Sequence, residues 1–231
     1  MYFTHIKTTP QKKRSAIWLT MVLVSCLLHS CFKDLPEKSI IYENDFENGK
    51  NHLFAIYGTG GLLDSTKIIS FNNSKVLGRF NNNFIVLNLD TIPSHNAVKV
   101  EFDLYIHDKW EGNYIYPAAT NPDIWQMSIN GNSVFLTTFS NGMNSQSFPD
   151  NFNYNGNPTN NKAFSNSWGF FPGVCSNMGQ MNGSSWYKIQ YTTSHTGAFQ
   201  LAINDVLYPA NSLCLKSWSI DNIRITAITY K

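Results

Sequence analysis

The sequence predicts an all-β protein: one antiparallel β-sandwich of the jelly-roll kind over residues 40–231, preceded by an N-terminal signal helix and a short linker. Three observations carry this. Apolar and polar residues alternate with period two in segment after segment. No stretch beyond residue 31 combines helical periodicity with capping residues. The chain holds 28 asparagines but only 14% charged residues, which suits turn-rich β structure and excludes a coiled coil or long solvated helices. At 231 residues one large β domain can bury a real core, and 14% aromatic content excludes a disordered chain.

The N-terminus reads as an address. Residues 1–31 carry Lys7, Lys12, Lys13 and Arg14 and no acid, followed by an apolar run from Ala16 to Leu28. That run of 13 residues is short for a membrane span and suits the apolar region of an export signal. Leu28-His29-Ser30-Cys31 resembles a bacterial lipobox, which makes Cys31 the expected lipidated residue and residues 31–39 a tether. Leu23-Val24-Ser25-Cys26 is the competing match. Ordinary signal cleavage without a lipid is the alternative to both, and the protein is expected to be exported and lipid-anchored at the outer membrane or cell surface of a Gram-negative bacterium. Cleavage after residue 30 removes four of the 17 Lys+Arg and none of the 15 Asp+Glu, leaving a net charge of about −2. The overall charge of +2 is therefore a targeting device, and no basic stripe remains for nucleic acid.

Beyond residue 40 there is no second linker and no internal repeat, so one domain, expected as a monomer, is the simplest organisation. Val98, Val100, Phe102, Leu104 and Ile106 share one strand face, with Lys99, Glu101, Asp103 and Tyr105 on the other. Trp125, Met127 and Ile129 alternate before Asn130-Gly131, a type I′ hairpin signal leading into residues 134–139. Tyr187, Ile189 and Tyr191, then Phe199, Leu201 and Ile203, repeat the pattern, and residues 218–225 supply a closing strand. Eight to ten strands are expected. Trp125, Trp186 and Trp218 are assigned to the core. Between Phe139 and Trp186 the alternation collapses into Asn-rich sequence with many aromatics, which reads as a long, packed loop. In an oxidising compartment Cys175 and Cys214 suit a disulfide, with two unpaired buried thiols as the alternative.

Several segments together resemble a jelly-roll family, concanavalin-like or carbohydrate-binding-module-like, found in exported bacterial proteins. They are Tyr42 to Gly49, Phe102 to Asn113, Pro122 to Trp125, Thr138 to Asn141, Gln146 to Pro149 and Ser217 to Ile223. In such folds a structural calcium ion often joins the first strand to the last, and the matching positions are Asp45, Glu47, Asp221 and Asn222. Asp108, Glu111 and Asp123 form a second acidic grouping in the sequence.

Three function classes follow. The first is a non-catalytic binding module, with carbohydrate as its ligand. Its expected contacts are Trp110, Asn113, Tyr114, Tyr116, Gln146 and Trp168, because sugars need aromatic faces and planar amides. The second is an envelope protein that holds another surface protein. The third is a glycosidase: Glu101-Phe102-Asp103-Leu104-Tyr105 matches two acids of a Glu-x-Asp-x-Glu strand motif but has Tyr in place of the third. Without that acid no catalytic residue is assigned.

Overall fold

The computed structural model describes residues 35–63 and 66–231. The export signal, Cys26 and Cys31 lie outside the described residues. Within them the protein is built of strands without a helix. In chain order the strands are β1 (Glu37–Asn44), β2 (Phe54–Gly58), β3 (Gly61–Leu62), β4 (Ile68–Phe71), β5 (Ser74–Phe80), β6 (Phe84–Leu89) and β7 (Ala97–Asp108). They continue as β8 (Ile124–Ile129), β9 (Asn132–Thr137), β10 (Gly169–Phe171), β11 (Ser184–Ser194), β12 (Phe199–Val206) and β13 (Lys216–Thr229). The eight to ten strands expected thus become thirteen, because β3, β4 and β10 have only two to four residues and are too short to show a period. β1 also starts inside the stretch read as linker, since it pairs with β13.

The front sheet runs β10-β11-β7-β13-β5-β4, and the back sheet β3-β2-β6-β12-β8-β9. From β5 to β8, and again from β11 to β13, the chain crosses between sheets at every connection, the habit of a jelly roll. The period-two reading holds along β7: Val98, Val100, Phe102, Leu104 and Ile106 are all buried between the sheets. Asn130 and Gly131 both adopt positive φ, as the type I′ turn between β8 and β9 requires.

Trp110, Trp125 and Trp218 are wholly buried at the centre of the core. Trp125 meets Trp218 edge-on at 6.3 Å and Phe139 at 6.0 Å, while Trp110 meets Phe139 at 6.3 Å. A buried indole N–H needs an acceptor. Trp110 donates to the Ser217 carbonyl at 2.9 Å, and Trp218 to Asp205 Oδ1 at 2.7 Å. Trp110 therefore stands in the core rather than facing a ligand. Its burial is decided by Phe139 and Ser217, which lie far from it in sequence.

The long segment after Phe139 is packed, as its aromatics suggested. Gln146, fully buried, is its hub. Its Oε1 accepts the backbone N–H groups of Ser140 and Phe164, both at 3.1 Å, and its amide donates to the Phe148 and Ser165 carbonyls. Cys175 and Cys214 are joined as a disulfide that ties the end of this segment to the loop before β13.

Candidate functional site

The outward face of the front sheet departs from simple alternation. On β7 the outward Lys99, Glu101 and Asp103 are partly exposed, but Tyr105 and His107 near its end are buried. They are covered by Phe71 of β4 and Phe171 of β10, strands at opposite ends of the sheet order, whose rings meet at 5.6 Å. The sheet therefore curls until its edges touch across β7. Beneath them the His107 imidazole lies 2.7 Å from Ser219 Oγ and 3.0 Å from Ser184 Oγ. Burial pushes its pKa down to about 3, so it stays neutral.

Beside this aromatic cover lies an open patch. Trp186 of β11 sits opposite Tyr105 on one side and Gly169 of β10 on the other. A Cβ at position 169 would stand 3.3 Å from the Trp186 ring, so glycine lets the indole spread over the sheet edge. Trp168, just before β10, is anchored by its N–H to the Trp186 carbonyl at 2.7 Å, and its side chain is 66% exposed. The two indoles lie 6.3 Å apart, tilted by 52°. The Lys188 ammonium stands 4.8 Å from the Trp168 ring centre and 5.3 Å from that of Trp186.

Polar groups converge next to them. Asp103, opposite Lys188 on β7, accepts the Trp186 indole N–H on Oδ1 at 2.9 Å and the Asn222 amide on Oδ2 at 2.8 Å. Asn222 reaches across because β13 is bulged between Asp221 and Arg224, and Asn222 itself takes a left-handed φ of 51°. Glu101, Asp103, Lys188, Gln190, Asn222 and Arg224 line a shallow groove of about 220 Å³. Arg224 is paired with Glu43, and Lys99 with Glu101, whereas Lys188 has no carboxylate in ion-pair range among the described residues.

The residues expected to bind ligand fall into four places. Trp168 is on this patch. Trp110 and Gln146 are buried and hold the core and the long loop. Asn113 is consumed within the loop, its amide donating to the Thr159 carbonyl at 2.9 Å and its oxygen accepting from Ser147. Tyr114 and Tyr116 lie together at the end of the sandwich, with rings 5.2 Å apart. Trp186, assigned to the core from sequence, is instead half-buried on the outward face. The sequence held the signal for it: if Tyr187, Ile189 and Tyr191 point inward, Trp186, Lys188 and Gln190 must point out.

Each of the residues expected to hold calcium has hydrogen-bond partners of its own. Asp45 turns its carboxylate to the Glu47 N–H, and Asn222 is held by Asp103. Glu47 and Asp221 do approach each other on either side of the Ser74 hydroxyl, whose Oγ lies 2.6 Å from Glu47 Oε1 and 3.0 Å from Asp221 Oδ2. The Lys75 N–H also donates to Glu47, and the Asn222 N–H to Asp221. Among the described residues no group of three His, Cys, Asp or Glu side chains is placed to hold a metal ion. Burial, opposed by these hydrogen bonds, pushes Asp221 up to about 6. Asp108, Glu111 and Asp123 also have partners of their own: Asp108 binds the N–H groups of Cys175 and Asn177, Glu111 the Asn144 amide, and Asp123 the Lys216 ammonium. Glu101, Asp103 and Tyr105 occupy the outward face of β7, and both Asp103 oxygens are engaged by neutral donors.

No family model matches the chain, and no curated protein matches it. Among solved structures it is similar to a family 35 carbohydrate binding module from Clostridium thermocellum, at 11% identity, covering 82% of this chain and 97% of that one, with a TM-score of 0.36. A CBM22 tandem domain from Paenibacillus barcinonensis is similar at 12% identity, over 81% of this chain and 50% of that one, with a TM-score of 0.38. The C-terminal CBM6 of a marine laminarinase from Zobellia galactanivorans is similar at 12% identity, over 83% and 99%, with a TM-score of 0.28. At such identities and scores, the jelly-roll assignment rests on the sheet topology itself.

Proposed function

We propose that this protein is a non-catalytic carbohydrate-binding module that holds a glycan on the outward face of its front sheet. The observation that carries the reading is the Trp168–Trp186 pair bordered by a groove of carboxylates, amides and cations. Sugar rings present C–H faces that stack on indoles, and hydroxyl pairs that bond to planar polar groups. Trp168 supplies an exposed ring, Trp186 a fixed one, and Asp103, Gln190 and Asn222 supply the hydrogen-bonding edge. Lys188 rests on the indoles and yields its place to a stacked ring.

In this reading the module is exported and anchored by a lipid on Cys31 to the envelope of a Gram-negative bacterium, a proposal supported by the basic, apolar and cysteine-bearing order of residues 7–31. Native electrophoresis through gels containing xylan, laminarin, galactomannan or polygalacturonate tests the binding function. Retardation in at least one gel, weakened in Trp168→Ala, is expected. Equal migration in every gel, together with recovery of a surface protein by pull-down, would replace the glycan with a protein partner.

A further inference from the structure

At the end of the sandwich where β7 stops and β13 begins, a buried ion pair joins the two sheets. Lys216, the first residue of β13, and Asp123, just before β8, meet at 2.6 Å with side chains 1% and 0% exposed. Burying such a pair costs free energy unless further bonds complete it, and here those bonds go to tyrosines. The Lys216 ammonium donates to the Tyr116 hydroxyl at 3.1 Å and lies 4.5 Å from that ring's centre. The other oxygen of Asp123 accepts the Tyr208 N–H at 3.1 Å. One ion pair thus fixes two aromatic residues from distant parts of the chain. Tyr116 in turn packs against Tyr114 at 5.2 Å, with planes 81° apart, and against Tyr208 at 5.7 Å, tilted by 43°.

Tyr114 and Tyr208 remain 44% and 39% exposed, and their hydroxyls have no hydrogen-bond partner among the described residues. Because Tyr116 accepts from Lys216, its own O–H proton is free to donate outward. Beside Tyr208 runs a groove of about 210 Å³, walled by Ala118, Ala119, Thr120, Asn121 and Pro122. No charged side chain lines it, and the ion pair beneath is internally neutral. The chemistry offered is ring faces at several angles, free phenol hydroxyls and a small uncharged trough, which matches an uncharged sugar ring.

We propose that Tyr114, Tyr116 and Tyr208 form a second carbohydrate-binding surface for neutral sugar units, with Lys216 and Asp123 as positioning residues. It shares no ring contact with the Trp168–Trp186 patch among the described residues, so each surface can be removed by substitution while the other keeps its contacts. The surface stands whether or not the Trp patch binds sugar.

The test uses native gels containing neutral xylan, laminarin or galactomannan, with the tag-free exported protein, Trp168→Ala, a Tyr114→Ala/Tyr208→Ala double variant and the triple variant. Both tyrosines are surface residues, and unchanged thermal unfolding verifies that each variant is folded. The expected result is that Trp168→Ala keeps part of the retardation, the tyrosine double variant loses about tenfold or more in affinity, and the triple variant migrates freely. The proposal is overturned if the tyrosine variant is retarded like the parent in every gel. It is equally overturned if no neutral polysaccharide retards the parent. Complete loss in Trp168→Ala with an unaffected tyrosine variant leaves only the sheet-face site standing.

Discussion

The two aromatic surfaces are built by opposite means. On the front sheet, strand register does the positioning: Trp186 projects because Tyr187 projects inward, and a glycine opposite gives its ring room. At the sandwich end there is no register to use, because Tyr114, Tyr116 and Tyr208 all sit in loops. There, a desolvated Lys–Asp pair holds the rings in place through a hydrogen bond, a cation–π contact and a backbone N–H. A sheet gives side-chain direction as a by-product of its ladder. A loop site needs a buried polar anchor for the same purpose, and that anchor makes it sensitive to a single change.

This contrast predicts its own weak point. Lys216→Met leaves Asp123 buried and unpaired, at a cost of about 3–5 kcal/mol in unfolding free energy. Denaturant unfolding should register that loss, and replacing both partners by Lys216→Met/Asp123→Leu should recover much of the stability while the tyrosine surface stays impaired. Full recovery of both would show that the ion pair positions nothing. Trp110→Ala serves as a reference that touches neither surface. Removing this core indole should cost about 3–5 kcal/mol, with polysaccharide affinity of the folded fraction unchanged, and a selective loss of binding would return Trp110 to the ligand.

A smaller effect separates the front sheet's acidic margin from the rest. Burial pushes Asp221 up to about 6 in the folded protein, above the 3.8 of a free aspartate, so the native state holds its proton more tightly than the unfolded chain. Stability from this group is full below about pH 4 and lost as pH rises through about 6. Asp221→Asn should flatten that part of the pH–stability curve by roughly 2–4 °C in Tm. An unchanged curve would mean that Ser74 and Asn222 already offset the cost of burying the carboxylate.

Much of the fold was legible because long strands write their period into the sequence: β7, the β8–β9 hairpin and β12 all lie where alternation puts them. The short edge strands were not, since β3 with two residues and β10 with three contain less than two periods. Site residues were harder for a different reason. Trp110 sits in polar sequence, between Asp108-Lys109 and Glu111-Gly112, and only the fold brings Phe139 and the Ser217 carbonyl around it. Gln146 looked like a ligand-facing amide and is a buried bracket for its own loop. Trp186 could have been read correctly, because its neighbours' inward alternation determines its direction. The joining of Tyr208 to Tyr116 through Lys216 and Asp123 leaves no local pattern, as it links two connections, after β7 and after β12, that meet only in the folded sandwich.

The central claim is that sugar binds on the Trp168–Trp186 face. The most direct test is titration calorimetry of the exported protein and of Trp168→Ala with a polysaccharide that retards the parent in gels. Loss of one exposed stacking ring should weaken binding about tenfold, since one aromatic contact contributes on the order of 1.5 kcal/mol, while Tm stays constant because the residue is 66% exposed. Identical affinity in the two proteins would contradict the assignment of this face.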